Sequence, residues 1–113
     1  SLIVDAVIGY SLDGSPGGVP LAMIEWAKSR DAPVVALDVP SGVDATTGLA
    51  PGAAVDAVAT VTLALPKTGL DAISVGHLWL ADIGIPPGIY QEVGIELTSP
   101  IFEEQFRVAL SPA

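Results

Sequence analysis

The chain has 113 residues, of which 50% are hydrophobic, with 13 acidic and 4 basic residues and a formal net charge of −9. This length allows one domain at most, and the charged fraction of 15% is too low for a disordered chain. With so few basic residues, the chain lacks the basic stripe that binds nucleic acid. The absence of cysteine excludes disulfides, a thiolate nucleophile and a cysteine metal site.

The chain opens with a predicted buried strand at residues 2–8, LIVDAVI, which is apolar and mostly β-branched apart from Asp5. No basic and apolar leader precedes it, and no apolar run is long enough to span a membrane. We therefore expect no membrane partner and a cytoplasmic location. Because residue 1 is a serine that leads straight into a strand, we also expect a piece of a longer protein.

Asp5 lies in the middle of this predicted strand. A lone buried carboxylate is costly unless it is paired, hydrogen-bonded or bound to a cation. The residue could cap a nearby loop, or it could bind a cation or a substrate.

A glycine-rich loop, GYSLDGSPGG, follows at residues 9–18 and leads into a predicted helix at residues 21–30, with Pro20 in its first turn. A loop between a strand and a helix can present free N–H groups to a phosphate. It has neither the G-x-G-x-x-G dinucleotide pattern nor a P-loop. Its Asp-Gly and Pro-Gly pairs are also ordinary turn sequences, so both interpretations stay open.

The most informative stretch is VVALDVPSGVD at residues 34–44, where a continuous apolar run ends in a carboxylate, a proline and a Ser-Gly pair. Such a run predicts a strand buried on both faces of a parallel sheet. Pro40 cannot donate a hydrogen bond to a neighbouring strand, and Gly42 permits a sharp turn. Ligands of open α/β sheets bind beyond the carboxyl ends of strands. Asp38 and Ser41 therefore lie where half of an active site is expected.

Three other polar residues have competing interpretations. Asp44 is expected to be a turn residue rather than a catalytic one. Lys67 follows a predicted strand and is expected to be exposed, although a cation there could also meet an anionic substrate. His77 is the only histidine. A Ser-His-Asp triad would have to use it, but nothing brings it near Ser41, and a surface histidine is favoured.

Further strands are predicted at residues 59–65 and 75–83, and a short helix at residues 102–110. Continuous apolar runs separated by a helix and long loops indicate the α/β class, with a mainly parallel sheet and helices on its faces. Four strands and one clear helix cannot cover both faces of such a sheet. We therefore expect an incomplete domain or a partner.

Taken together, these segments resemble the NAD(P)H-hydrate epimerase family, which has a YjeF N-terminal-type domain and includes the apolipoprotein-A-I-binding proteins. The principal matches are VDAVIGYSLDG at residues 4–14, LDVPSGVD at residues 37–44 and ADIGIP at residues 81–86. The resemblance implies a Rossmann-like three-layer α/β/α sandwich, with residues 1–90 as the C-terminal part of that domain and residues 91–113 as a tail. The family's earlier Asn-Asn-Gly-Gly-Asp-Gly motif has no counterpart here, so roughly the first half of the domain is absent.

The family implies interconversion of the R and S epimers of hydrated NADH and NADPH, which is a cofactor-repair reaction. By resemblance, Asp38 contacts the substrate and is the favoured acid/base, and Asp5 and Ser41 bind a potassium ion. The implied substrate-binding loop consists of Gly9, Tyr10, Ser11, Leu12, Asp13, Gly14 and Ser15. The expected partners are this small-molecule substrate and either a second copy, in a homodimer, or the missing half-domain.

Two other hypotheses stay open because the Asn-Gly-rich half is missing. The chain could be a non-catalytic module of the same fold that binds a nucleotide or a protein, which would show affinity without turnover. It could also be an inert fragment whose exposed apolar face drives self-association, and a clean monomer in light scattering would contradict that hypothesis.

Overall fold

The computed structural model describes residues 1–70, 75–96, 101–102 and 104–110. Its elements are β1 (Ile3–Asp5), α1 (Gly18–Lys28), β2 (Val34–Leu37), β3 (Ala59–Leu63), β4 (His77–Ala81), α2 (Pro87–Glu92) and β5 (Arg107–Leu110). The strands form a five-stranded sheet in the order β1-β2-β3-β4-β5. Strands β1 to β4 are parallel, and β5 is antiparallel to β4. The predicted α/β class with a mainly parallel sheet is confirmed.

Strand β1 is shorter than predicted and ends at Asp5 instead of residue 8. Beyond Asp5, the backbone N–H of Val7 donates to the Asp5 carboxylate and that of Ile8 donates to the Ser41 hydroxyl. Because these N–H groups bond to side chains, they cannot extend the ladder of a strand. The strand therefore gives way to the loop at its single carboxylate.

The predicted helix at residues 102–110 is wrong. Residues 107–110 form β5, which pairs with β4 so that Val108 lies opposite Leu80. Half-buried and exposed side chains alternate along β5, which is the pattern of a strand with one covered face. The unpaired edge of β4 offered this short segment a hydrogen-bonding partner, and that tertiary contact outweighs the local helical preference.

One face of the sheet carries the core. Laterally paired residues of parallel strands share a face, and by register Val34, Ala36, Thr60 and Leu78 lie on the same one. On this face, Ile24 of α1 packs in a cluster with Val34 and Val55. A second cluster packs against Leu78 and consists of Val39, Val43, Ala45, Leu70 and Val75. Helix α1 and the segment after β2 therefore form one covering layer.

The opposite face is open in the described part of the chain. Val4 and Leu37 lie on it, and their side chains are 64% and 42% exposed. Helix α1 lies on the other face, and α2 has no buried residue. The described residues therefore supply two of the three layers of an α/β/α sandwich. No helix in these residues is long and apolar enough to cross a bilayer.

The turn after β2 depends on Gly42. Its φ of 96° lies in the left-handed region, and a Cβ there would lie 2.1 Å from the carbonyl oxygen of Ala53. The neighbouring carbonyl of Ser41 accepts a hydrogen bond of 2.9 Å from the N–H of Val55. Only glycine lets residues 53–55 pack directly on the turn that carries Ser41.

Candidate functional site

The site begins where β1 ends, at the buried carboxylate of Asp5, which is 3% exposed. Its Oδ2 accepts a hydrogen bond of 2.7 Å from the backbone N–H of Ser41, and its Oδ1 accepts one of 2.6 Å from the Ser41 hydroxyl. Oδ1 also accepts a weaker bond of 3.3 Å from the N–H of Val7. Asp5 therefore caps its own loop and at the same time connects the end of β1 to the turn after β2.

The hydroxyl of Ser41 connects this pair to the next residues of the loop. Its Oγ accepts a hydrogen bond of 2.8 Å from the N–H of Ile8 and lies 3.3 Å from the Ile8 carbonyl oxygen. A hydroxyl has one proton, and the shorter contact shows that it is donated to Asp5. A carboxylate oxygen, a hydroxyl oxygen and a carbonyl oxygen consequently converge at this point.

These three oxygens have the donor chemistry that hard cations prefer. Among the described residues, every buried side-chain nitrogen and oxygen has a hydrogen-bond partner. The ion pair in this part of the chain is formed by Lys67 and Asp38 and does not include Asp5. The Asp5 carboxylate therefore accepts hydrogen bonds only from neutral groups of the described residues. The same residues contain no group of three or more His, Cys, Asp or Glu side chains that could hold a metal. A cation here would bind mostly neutral oxygens.

The second carboxylate of the site, Asp38, immediately follows β2. Its φ of 69° lies in the left-handed region, which costs an L-residue about 1–2 kcal/mol but which aspartate tolerates better than most. Its Oδ1 accepts hydrogen bonds from the Lys67 ammonium at 2.6 Å and from the Thr62 hydroxyl and the Leu63 N–H at 3.3 Å each. Backbone strain of this kind concentrates at functional sites.

The expectation that Lys67 is exposed was wrong. Its side chain is 21% exposed, and its Nζ forms an ion pair with Oδ1 of Asp38. The two residues are 29 positions apart, so no local pattern links them. The order of the strands could have predicted the pair. Asp38 follows β2 and Lys67 follows β3, and the carboxyl ends of neighbouring parallel strands lie side by side.

The two carboxylates are connected through Ile8 and Gly9. Ile8 bonds to Ser41, and a Cβ on Gly9 would lie 3.2 Å from Oδ2 of Asp38. Oδ2 of Asp38 therefore faces the loop and accepts no hydrogen bond from the described residues. Asp5, Ser41 and Asp38 thus lie together at the carboxyl ends of β1 and β2. Their functional roles stay predictions.

The loop at residues 9–15 is open to solvent except at half-buried Gly9 and Leu12. Its far end is held by the Ser15 hydroxyl, which donates to the carbonyl of Pro51 at 3.0 Å. None of its backbone N–H groups donates a hydrogen bond to another described residue. Beside it lies a shallow cavity of about 280 Å³, lined by Tyr10, Ala45, Thr46, Pro66, Lys67 and Thr68. The predicted substrate loop therefore has free donors next to the Asp38–Lys67 pair.

Two residues considered from the sequence stand outside this constellation. Asp44 accepts hydrogen bonds from the N–H groups of Thr46 at 2.8 Å and Thr47 at 3.0 Å, which confirms it as a turn residue. The Thr47 N–H above all, and then that of Thr46, holds the pKa of Asp44 below its ordinary value of 3.8. His77 is exposed and begins β4. It therefore lies at the amino end of the parallel strands, whereas Ser41 lies beyond their carboxyl ends.

Comparison with known proteins gives consistent matches. A family model described as "YjeF-related protein N-terminus" matches residues 1–69. An NAD(P)H-hydrate epimerase of Dehalogenimonas lykanthroporepellens is 48% identical over 95 residues, which are 84% of this chain and 39% of that protein. An NAD(P)H-hydrate epimerase of Truepera radiovictrix is 40% identical over 97 residues, which are 85% of this chain and 44% of that protein.

A solved structure shares the fold. The crystal structure of yeast ynu0, YNL200c, superposes with a TM-score of 0.74 at 23% identity, over 96% of this chain and 46% of that one. The chain thus spans less than half the length of the two epimerases and of the yeast protein. The family model nevertheless covers well over half of the chain, including Asp5, Asp38, Ser41 and Lys67. The chain therefore belongs to the family of YjeF-related protein N-terminal domains.

Proposed function

We propose that the polypeptide containing this chain is an NAD(P)H-hydrate epimerase that interconverts the R and S epimers of hydrated NADH and NADPH. The observation that carries this proposal is the difference in environment between the two carboxylate oxygens of Asp38. One carboxylate oxygen is fully engaged by β3 and Lys67, and the other faces the glycine-rich loop. The relatives from Dehalogenimonas and Truepera carry the name of this activity. A cytoplasmic location is part of the same proposal.

The chemistry suits a single carboxyl group at this position. Epimerising the hydrated carbon requires a proton for the departing hydroxyl and then a water on the opposite face that loses a proton. One carboxyl can serve as acid in the first step and, through one bridging water that reaches the opposite face, as base in the second. Oδ2 of Asp38 is the oxygen that a substrate in the loop would reach, because Gly9 has no side chain to cover it.

The diphosphate of the cofactor has a binding surface that does not need a basic side chain. The loop at residues 9–15 leaves its N–H groups without partners among the described residues. The loop leads into α1. The N-cap residue of this helix, Gly17, has no side chain to accept hydrogen bonds from the first N–H groups, and the first turn has no acidic residue. The N–H groups at a helix N-terminus attract anions. The strong net negative charge of the chain is therefore compatible with an anionic substrate.

We further propose that a potassium ion binds at Asp5 and Ser41. The support is the oxygen set: Oδ1 of Asp5 lies 2.6 Å from Oγ of Ser41, which lies 3.3 Å from the Ile8 carbonyl oxygen. Hard cations take about six to eight oxygen ligands, so the remainder would come from elsewhere. When bound, the ion would supply a positive charge beside the buried carboxylate and stiffen the loop at Ile8.

The partner that we propose is the half-domain that the resemblance implies, rather than a second copy. The outer edge of β1 pairs with no strand of the described residues. Beside it, β1 and α1 enclose an apolar cavity of about 360 Å³, lined by Ile3, Val4, Asp5, Val7, Val19, Ala22, Met23, Ile24, Trp26, Ala27 and Val55. Trp26 and Val4 are more than half exposed. An unpaired edge beside an open apolar surface favours a partner that adds a strand and a helix together.

Replacing Asp38 by asparagine in the complete polypeptide should lower kcat for epimer exchange by about 10²- to 10⁴-fold, because an amide can neither donate nor accept the proton. Chromatographic separation of the two epimers measures the rate. Asp56→Asn is the matched control, since Asp56 is exposed and makes no side-chain hydrogen bond to the described residues. Unchanged exchange in Asp38→Asn would rule out the acid/base role. Cofactor binding without turnover in the wild type would favour the non-catalytic module instead.

Exchanging potassium for tetramethylammonium at constant ionic strength should lower the melting temperature of the complete polypeptide by a few degrees. An ion present at ten times its Kd contributes about 1.4 kcal/mol of stability, and that contribution is lost with the ion. Asp5→Asn and Ser41→Ala should each remove the difference between the salts, whereas Asp56→Asn should keep it. Equal melting temperatures of the wild type in both salts would refute the ion site.

Amide hydrogen exchange can identify what covers β1. The N–H of Ile3 donates to Pro33 on the β2 side, and successive N–H groups of a strand alternate, so that of Val4 points to the outer edge. In the complete polypeptide we expect the Val4 amide, like that of Ile3, to exchange about 10³-fold more slowly than an exposed amide at every protein concentration. Rapid exchange would contradict a paired edge. Protection that disappears on dilution would assign the edge to a homodimer.

A further inference from the structure

Lys67 has no hydrogen-bond donor to spare for a substrate. An ammonium group has three N–H donors. In this chain the three acceptors are Oδ1 of Asp38 at 2.6 Å, the Leu63 carbonyl at 2.7 Å and Oγ of Thr62 at 3.1 Å. A lysine that clamped a phosphate would keep at least one donor directed outward. The contacts of Lys67 point to a role exerted through Asp38.

Thr62 completes a closed network around the same oxygen. Its Oγ is fully buried and accepts from Lys67, which leaves its hydroxyl proton for Oδ1 of Asp38 at 3.3 Å. The N–H of Leu63 donates to the same Oδ1. Three donors from the end of β3 and the turn after it thus converge on one oxygen of Asp38, while Oδ2 faces Gly9. The carboxylate is asymmetric because β3 engages only one side of it.

That asymmetry decides which oxygen can exchange a proton. A proton arriving on Oδ1 would have to displace the ammonium group, whereas Oδ2 carries no such competitor. A carboxyl group fixed by one oxygen also keeps the other in a constant position, and a misplacement of about 1 Å at a reacting group can cost about 10²-fold in rate.

We propose that Lys67 is a positioning residue for the epimerisation: it fixes Oδ1 of Asp38, so that Oδ2 is the oxygen that gives a proton to the substrate hydroxyl and, through a bridging water, takes one from the water that returns on the opposite face. Protonation by Oδ2 lets the bond between the hydrated carbon and its hydroxyl break and releases water; a water then bonds to the same carbon on the opposite face, and its proton returns to Oδ2. Bonds and protons therefore balance over the cycle and no other reactant is needed. This inference rests on the proposed function and adds to it the oxygen and the residue that selects it.

The test compares Lys67→Met with Lys28→Met in the complete polypeptide. Lys28 is the other lysine of the chain and lies exposed at the end of α1. For Lys67→Met we expect kcat for epimer exchange to fall about 10²-fold, with KM changed by less than about threefold, because the substrate loses no direct contact. Lys28→Met should match the wild type. Lys67→Arg, which retains a cationic donor, should recover kcat to within about tenfold of the wild type.

Thr62→Val provides a second variant should Lys67→Met fail to fold, because valine has nearly the same shape and lacks the hydroxyl that bonds to Oδ1. We expect it to lower kcat about three- to tenfold, again with little change in KM. A large rise in KM with kcat preserved, in Lys67→Met or Thr62→Val, would show that these groups bind substrate directly and would overturn the inference. Normal kinetics in both variants would overturn it as well. A wild-type polypeptide without exchange activity would overturn the proposed function and this inference together.

Discussion

The bond between the Asp5 carboxylate and Ser41 is the contact on which the rest of the site depends. It joins the end of β1 to the turn after β2, and the Ser41 hydroxyl in turn holds the N–H of Ile8. With Ile8 fixed, Gly9 lies against Asp38 and the glycine-rich loop starts beside that carboxylate. A carboxylate buried in this way is costly in isolation, so its three hydrogen bonds both stabilise the charge and fix the geometry of the loop.

The site is built by the ends of three neighbouring parallel strands. Strand β1 supplies Asp5, the turn after β2 supplies Asp38 and Ser41, and the end of β3 with its following turn supplies Thr62 and Lys67. The two core clusters lie on one face of the sheet, so the described parts of the connections between β1 and β4 run on that face. In doubly wound sheets, ligands bind where the strand order reverses and the connections change face. Such a reversal would fall at β1, and the Asp5–Ser41 contact and the substrate loop lie at the carboxyl end of that strand.

Sequence reasoning located the parts of this site that follow from local rules. The continuous apolar run at residues 34–37 predicted β2, and the rule that ligands gather beyond the carboxyl ends of strands singled out Asp38 and Ser41. It failed where a contact joins distant segments. Arg107–Leu110 is too short to be identified as a strand without β4 beside it. Lys67 was predicted to be exposed, because only the fold of β3 beside β2 places it next to Asp38. Asp5 was taken to lie within a strand, because its bonds to Val7 and Ser41 are invisible in a linear pattern.

The most direct test is a crystal structure of the complete polypeptide with NADP⁺ bound as a stable substitute for the hydrated cofactor. The decisive quantity is the distance from Oδ2 of Asp38 to C6 of the nicotinamide ring. We expect about 4.5 Å or less, because a hydroxyl on that carbon would then be within hydrogen-bond reach of the carboxyl oxygen. A nicotinamide bound elsewhere would contradict the assignment of Asp38 as the acid and base of this reaction, and a C6 atom nearer to Oδ1 than to Oδ2 would contradict the assignment of Oδ2 as the reacting oxygen.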